Sequence, residues 1–453
     1  MEEAERLRGV IKDCVHCGFC LPACPTYQLW AEEMDSPRGR IYLVGQLLDG
    51  AELTPAAAGH FDRCLGCMAC MTACPSGVQY DQLIEAARVW TEEARSEPVP
   101  PVPVSSAGPA SSAGPASSPG RAARLRERAE RAAIFALFPY PRRLRAAIGP
   151  LRGMQRTGLD RRLARSSLPG RLSPTLGAAL KLAPPPPAAS GRLPERVAAR
   201  GPRRAVVGML TGCVQSVFVP RVNAATARVL AMEGCDVVIP RGQGCCGALS
   251  MHAGRQAEAM DFARQTIETF EQSGVEAIVV NSAGCGSAMK EYERLLGRDG
   301  QDPGWAGRAA ALSARVRDLS EFLADLGPAA PRHPLPVTAA YHDACHLAHA
   351  QRITREPREL LRAIPELRLV ELADAGTCCG SAGVYNLLQP EAASELGARK
   401  AQSVLDAGAP LLISANPGCT LQIAAALADR GEHVSVAHTA EILDASLRGL
   451  PWS

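Results

Sequence analysis

No run of apolar residues in this chain approaches the ~18 that a membrane-spanning helix needs; the longest compact one is AAIFALF, residues 132–138. The opening stretch MEEAERLRGV is charged and has no apolar centre, so no secretory signal peptide is expected. Charge of one sign is not in large excess either. A net charge of only +3 over 453 residues argues against a general nucleic-acid binder. A glycine-rich dinucleotide fingerprint and a flavin motif are both missing, so the chain is not expected to hold such a cofactor itself. What it has in abundance is cysteine, seventeen in all. In a chain expected to stay in a reducing compartment, that number reads as metal binding or redox chemistry rather than disulfide staples.

The length fits about three domains at ~150 residues each, and the cysteines divide the chain unevenly. Residues 1–95 carry eight of them among helix-like stretches such as RIYLVGQLL and DQLIEAARVW. Residues 96–120 repeat SSAGPA and cannot build a core, which makes a flexible linker. Residues 121–171 hold fourteen Arg, no Lys and three acidic residues. Ile134, Leu137, Phe138, Leu144, Ile148 and Leu151 could line one apolar face there, but Pro139 and Pro141 break any single helix. The plain expectation for this basic stretch is a partly ordered, solvated insert. The sharper one is a docking surface for an acidic partner or an anionic membrane. A second linker, APPPPAAS, occupies 183–190.

Two cysteine motifs dominate the N-terminal part. The first is CVHCGFCLPACP, with Cys14, Cys17, Cys20 and Cys24 ahead of Pro25. The second is CLGCMACMTACP, with Cys64, Cys67, Cys70 and Cys74 ahead of Pro75. Both read C-x2-C-x2-C-x3-C-P, the spacing that holds cubane [4Fe–4S] clusters. Three thiolates two residues apart wrap one cube in a tight loop, and the fourth reaches the neighbouring cluster. Cys14, Cys17, Cys20 and Cys74 are therefore expected to hold one cluster, and Cys64, Cys67, Cys70 and Cys24 the other. Zinc fits less well, because its sites pair CxxC units across a longer gap. Thirty-nine residues separate Cys24 from Cys64. That gap resembles the α-helical ferredoxin type of succinate dehydrogenase iron–sulfur subunits. His16 is expected to be a loop residue rather than a ligand.

From about residue 203, short apolar runs (RAVVGML, CDVVIP, AIVVN, then VTAAYH, LRLVEL, LLISAN) alternate with helix-like segments, the pattern of a parallel α/β sheet. Cysteines reveal a duplication. Cys213, Cys245, Cys246 and Cys285 recur as Cys345, Cys378, Cys379 and Cys419, at offsets of 132, 133, 133 and 134 residues. Most of them follow a predicted strand directly, at the carboxyl edge where open parallel sheets bind ligands. Glycine after each vicinal pair lets the backbone approach closely. A vicinal disulfide would leave two cysteines of each set unexplained, whereas an iron–sulfur cluster or a zinc ion would use all four. Nearby His342, His346, His349 and His252 are candidates for orienting ligands or moving protons, or else for bonding loop backbone. Cys235 stands outside every group and reads as a buried structural thiol.

The duplicated modules resemble the cysteine-rich "CCG" domain of heterodisulfide reductases and related oxidoreductases. They depart from its terminal CxxC, with Ser282 and Asn416 where that element has its first cysteine. A five-cysteine noncubane assembly is therefore in doubt. Stretches such as LTGCVQSVFVPRVNAATARVLAMEGCDVVIPRGQGCCGALSMHAG, YHDACHLAHAQ and CLGCMACMTACPSGVQY resemble the iron–sulfur subunits of bacterial glycolate oxidases over residues 1–95 and 203–449.

That resemblance implies an α-helical ferredoxin-like domain with two cubane clusters (1–95), linkers with a basic insert (96–202), and two repeated α/β cysteine-rich modules with parallel sheets (203–330 and 331–453). It implies an electron-transfer subunit of a glycolate or other 2-hydroxy acid dehydrogenase, passing electrons from FAD-containing partner subunits to quinone. The location implied is cytoplasmic, or peripheral on the inner face of the cell membrane, and no nucleic-acid partner is implied. The alternatives are a heterodisulfide reductase-type subunit and a lactate or glycerol-3-phosphate dehydrogenase iron–sulfur subunit. Beyond two [4Fe–4S] clusters, one further cluster per module, zinc or no metal all remain open.

Overall fold

The computed structural model describes residues 2–96, 121–166, 168–184, 192–297 and 303–452. The SSAGPA linker beyond Ser96 and most of the proline-rich linker at 183–190 lie outside the described residues.

The N-terminal part is helical: Glu2–Lys12, Pro25–Trp30, Pro37–Leu48, Pro55–Arg63, Ala69–Ala73 and Tyr80–Ser96. Proline opens three of these, where its fixed φ suits the first turn and its missing N–H costs nothing. Ser36 and Thr54 cap two of them by accepting bonds from Gly39 N and Ala57 N. Leu7, Ile41, Val44, Phe61, Leu83 and Ile84 pack as their core. The helices thus fill the long gap between the two cysteine motifs and hold the two loops side by side.

The basic stretch differs from the partly ordered insert expected of it. It forms helices Arg121–Leu137, Pro141–Thr157, Leu159–Arg165, Leu168–Leu172 and Pro174–Leu182. The expected break falls between Leu137 and Pro141, with Pro141 at the start of the second helix. Order comes from burial. Ile134 and Phe135 pack on Val384 and Leu387, and Leu144 and Ile148 pack on Val217. Arg131 also binds Glu92 at 2.6 Å, tying the insert to the helix Tyr80–Ser96.

Two sheets follow. In the first, β1 (Arg196–Val197), β2 (Ala205–Met209), β3 (Cys235–Val238), β4 (Ala277–Val280) and β5 (Val316–Asp318) lie in the order β1-β3-β2-β4-β5, with only β1 antiparallel. In the second, β6 (Val337–His342), β7 (Leu367–Glu371), β8 (Leu411–Ser414) and β9 (Ser435–His438) lie in the order β7-β6-β8-β9, all parallel. The duplication seen in the cysteines is therefore a duplication of topology. Nearly continuous apolar runs make these strands, since helices cover both faces. After β5 and after β9 a capping box starts the next helix, with Asp318 and Glu321 in one and His438 and Glu441 in the other.

The modules share one core. Val207, Met209 and Leu230 of the first belong to the same buried cluster as Tyr341, Ile413 and Ile442 of the second. Arg228 forks onto Asp444 across the join, with Nε–Oδ1 at 2.9 Å and Nη2–Oδ2 at 2.6 Å.

Gly247 and Gly380, each just after a vicinal pair, hold the same left-handed backbone, φ +84° and +87°. A Cβ there would sit 2.9 Å from Ala259 O or 2.8 Å from Ala393 O. Gly380→Ala is thus expected to cost roughly 1–3 kcal/mol, read as a lower midpoint in thermal or denaturant unfolding.

Candidate metal centres

The two N-terminal loops share one backbone pattern. His16 (φ 54°) and Gly18 (φ 85°) in the first match Gly66 (φ 63°) and Met68 (φ 61°) in the second. Left-handed residues at the same two places coil each loop so that its three sulfurs face inward. Non-glycine residues accept this conformation at a small cost, and His16 is one of them. Its carbonyl also accepts a bond from Arg38 Nη1 at 3.3 Å.

Cys14, Cys17, Cys20 and Cys74 line one cavity. Cys24, Cys64 and Cys67 line another, and Cys70 lies in the walls of both. Each cavity therefore gathers three thiols of one motif and the last thiol of the other. The first is near the surface, with Cys17 exposed, whereas all four thiols of the second set are buried. Burial pushes Cys20 up to about 11 and raises Cys67 and Cys70 well above the ordinary thiol range. Such crowded neutral thiols suit a soft cation that would draw off their protons.

Cys64 is the exception. Burial raises its pKa, yet the Arg40 and Arg88 guanidiniums overcome that and hold it below the usual range. Arg40 is 1% exposed and sits among Thr26 Oγ1, Asp35 Oδ1 and the carbonyl of His60. A buried positive charge at this point favours an added electron nearby.

Each module brings its four cysteines into one chain of contacts. Cys213 Sγ lies 3.5 Å from Cys245 Sγ, and Cys246 bonds with both Cys245 and Cys285. Cys345 meets Cys378, Cys378 meets Cys379, and Cys379 meets Cys419. All seventeen cysteines are free thiols. Hydrogen bonds from Cys245 and Cys285 hold Cys246 well below the ordinary thiol range, and the same bond together with burial pushes Cys285 well up. Each set can keep few charges without a cation, so the donor chemistry fits a thiolate-bound metal or cluster. Cys235 is apart from them, fully buried in the shared core.

Ser282 and Asn416 stand beside their own sets and touch one another. Ser282 Oγ donates to Asn416 Oδ1 at 3.3 Å, and Asn416 Nδ2 donates to Cys419 Sγ at 3.4 Å. Ser282 also bonds Cys285. Where the related pattern has a thiolate, this chain has a hydroxyl and an amide, and the amide donates to the remaining sulfur of its own set.

The histidines divide by role. His349 is bonded to Gly376 O at 2.8 Å and Thr72 Oγ1 at 3.0 Å, a structural use. His342 is fully buried, has neither ring nitrogen bonded among the described residues, and lies with Cys379 and Cys419 so that their ligand atoms are all within 4.8 Å. Burial pushes it down to about 3, so it is neutral and able to ligate. Sequence reasoning placed His342 only near Cys345. The signal was its place at the end of a strand, three residues before that cysteine, with Leu210 at the matching place in the first module. His252 and His346 stack with ring centroids 4.8 Å apart.

The thiol sets of different regions also meet. Burial is the main cause that raises Cys67, and the next is Cys345 of the second module. Leu65, Cys67, Cys345, Cys378 and Tyr385 share one buried cluster. A single file of sulfur therefore runs from exposed Cys17 through Cys70 and Cys67 to Cys345.

Comparison with known proteins finds the same order of parts. A 4Fe-4S dicluster domain matches residues 10–78, and a cysteine-rich domain, CCG, matches residues 207–290 and again 339–424. The linker region of the glycolate oxidase iron-sulfur subunit matches residues 126–183, the helical insert. The probable glycolate oxidase iron-sulfur subunit of Bacillus subtilis is 35% identical, with 98% of this chain and 95% of that protein covered. The glycolate oxidase iron-sulfur subunit of Escherichia coli is 34% identical over 97% of this chain and 95% of its own. Lactate utilization protein A of an Exiguobacterium species is 32% identical over 53% of this chain and 98% of that protein. On the near full-length identity to two such subunits, the chain belongs to the glycolate oxidase iron–sulfur subunit family.

Proposed function

We propose that this chain is the electron-transfer subunit of a glycolate dehydrogenase complex, taking electrons from FAD-containing partner subunits and passing them to quinone. The observation that carries it is the succession of thiol sets from the surface loop at Cys17, through cavities that share Cys70, to Cys67 packed with Cys345. In this reading Cys14, Cys17, Cys20 and Cys74 hold one [4Fe–4S] cluster, and Cys64, Cys67, Cys70 and Cys24 the other. Cys213, Cys245, Cys246 and Cys285, and likewise Cys345, Cys378, Cys379 and Cys419, hold one further cluster each. The parts fall at 1–95, 96–202, 203–330 and 331–453. Bound clusters would supply one-electron steps, and a two-electron reduced flavin can feed them one electron at a time. The protein's own residues do the rest: they fix the sulfurs, bury all four thiols of the second set and of the second module's set, and place Arg40 and Arg88 to favour reduction.

Electrons enter at the loop of the first motif. Val15 and Phe19 are 67% and 65% exposed there beside exposed Cys17, an apolar rim that suits a docked flavoprotein. Among the described residues no helix is long and apolar enough to cross a membrane. Leu125, Leu159, Leu168, Leu172 and Leu176 are exposed large apolar residues of the arginine-rich insert, a combination that favours a peripheral seat on an anionic membrane face.

The test is anaerobic purification with the flavoprotein subunits, followed by addition of glycolate or lactate. Glycolate is expected to bleach the iron–sulfur absorption; no bleaching by any 2-hydroxy acid would sink the reading. Metal content sorts the modules. About sixteen irons per chain would mean four clusters, and about eight would mean two. His342 beside Cys379 and Cys419 favours one specific second reading, zinc in the second module, which would appear as one zinc and about four fewer irons.

A further inference from the structure

The two modules repeat their cysteines but not what stands behind them. Three residues before Cys213 is Leu210, and three before Cys345 is His342. Twenty-one residues after Cys246 is Ile267, and twenty-one after Cys379 is Lys400. Leu210, Cys246 and Ile267 pack in one apolar core. Hydrocarbon alone therefore fills these two places in the first module. In the second, His342 has no exposed surface, and neither ring nitrogen has a hydrogen-bond partner among the described residues. A buried polar ring with nothing to bond is costly and uncommon. Packing does not call for it, since leucine serves at the matching place.

What the ring does have nearby is sulfur. His342 ends β6, and its register partner Ser414 ends the neighbouring parallel strand β8. The chain after β8 leads at once to Cys419, so the histidine and that thiol share the carboxyl edge of the sheet. Cys379 approaches the same edge. One nitrogen of His342 and the sulfurs of Cys379 and Cys419 all lie within 4.8 Å of one another, on three buried residues. Ligand atoms around one tetrahedral zinc stand roughly 3.5–3.8 Å apart, so a small inward turn brings the three onto one cation. Lys400, 1% exposed, is held by Asp374 through Oδ2 at 2.8 Å and the carbonyl oxygen at 2.7 Å. Burial first, and the Lys400 ammonium next, keep the His342 ring neutral. A neutral imidazole has a lone pair to give to a metal.

We propose that His342 is a ligand of the metal centre in the second module, giving one imidazole nitrogen beside the thiolates of Cys379 and Cys419; this rests on the reading that the second module holds a metal. The matching place in the first module, Leu210, offers no donor, so the two centres are unlike. On binding, Cys379 and Cys419 each release a proton to water. His342 releases none, because its one N–H stays on the nitrogen that does not ligate. The same donor set serves two metals, a zinc ion with mixed nitrogen and sulfur ligands or one iron of an iron–sulfur cluster. With iron, a neutral nitrogen in place of an anionic thiolate raises the reduction potential. That makes the second module the better electron acceptor of the two, on the side where Cys345 packs against Cys67.

The experiment uses the full chain, purified anaerobically, with iron and zinc both counted. Metal that Cys379→Ser removes belongs to the second module. If that metal is iron, the dithionite-reduced chain is expected to show the nitrogen coupling of a coordinated imidazole in electron spin-echo spectra, altered when the histidines carry a nitrogen isotope label. If it is zinc, X-ray absorption at the zinc edge is expected to show an imidazole shell. Either signature is expected to vanish in His342→Leu and in His342→Cys. His342→Cys is expected to keep the metal, because it restores a thiolate, whereas His342→Leu is expected to lose it. Should His342→Leu fail to fold, the parent spectra and His342→Cys decide. Second-module metal without coordinated imidazole in the parent overturns the proposal and leaves the metal reading standing. An imidazole signature that persists in metal-bearing His342→Cys also overturns it, since another histidine would be the ligand. Unchanged metal in Cys379→Ser removes the second module's metal, and the role of His342 with it.

Discussion

Asp35→Ala is expected to destabilise the chain by about 3–5 kcal/mol, the usual result of stripping the partner from a buried charge. Asp35 is 2% exposed and accepts from Arg40 at 3.3 Å, Arg63 at 2.9 Å and His60 at 3.0 Å. Without it Arg40 is left charged in the interior beside Cys24 and Cys64. Burial raises the Asp35 carboxyl, but His60, Arg63 and Arg40 together hold it below the ordinary value. The sign of the pH dependence follows. A lowered folded pKa gives stability that is full above the unfolded value of about 4 and is lost as pH falls through the folded one. Chemical unfolding at pH 7 and at pH 3 measures both effects: Asp35→Ala should be much weaker than the parent at pH 7, and the gap should narrow in acid. A pH 7 difference under about 1 kcal/mol would mean that the network contributes little more than a surface pair.

Cys67→Ser is expected to remove about four irons per chain and to stop glycolate-driven quinone reduction. Serine offers a hydroxyl that does not ionise at neutral pH, in a proposed cluster site whose four thiols are all buried. Cys67 also faces the second module, where Cys345 and Cys378 are its neighbours. Its loss would therefore cut the file of sulfurs at the step between regions as well as at one cluster. Cys235→Ser is the control, because that thiol lies in the core away from every set. Iron analysis of the two variants with equal folded yield decides the matter. Equal iron in both would remove Cys67 from the ligands.

Much of this was legible in the residues. Two C-x2-C-x2-C-x3-C-P motifs announce themselves by spacing, and the vicinal pairs with their 133-residue offset announce a duplication, because ligand loops tolerate little change in length. The strands could be read from RAVVGML and LLISAN, which are too apolar and too short for surface helices. The insert was harder. Its arginines mask an apolar stripe of few residues, and only Val384, Leu387 and Val217, far away in the chain, give that stripe something to cover. Asp35 and Arg40 sit in a stretch, MDSPRGR, that looks like a polar turn, and their burial depends on a fold no local pattern encodes. The meeting of Cys67 with Cys345 and the stacking of His252 on His346 arise from packing between regions. A single sequence carries no sign of such contacts.

The contact between Ser282 and Asn416 joins equivalent positions of the two modules by unlike groups. In a homodimer of one ancestral module, a residue on the twofold axis would face its own copy, so donor would meet donor or acceptor meet acceptor unless the side chain could do both. Two copies in one chain are free of that constraint. The two positions could then diverge, one into a hydroxyl that gives a proton and the other into an amide oxygen that receives it. The same release extends to the neighbourhoods of the two thiol sets, where Leu210 faces one and His342 the other. One chain thus carries two copies of one site whose surroundings differ, and the common core holds them together.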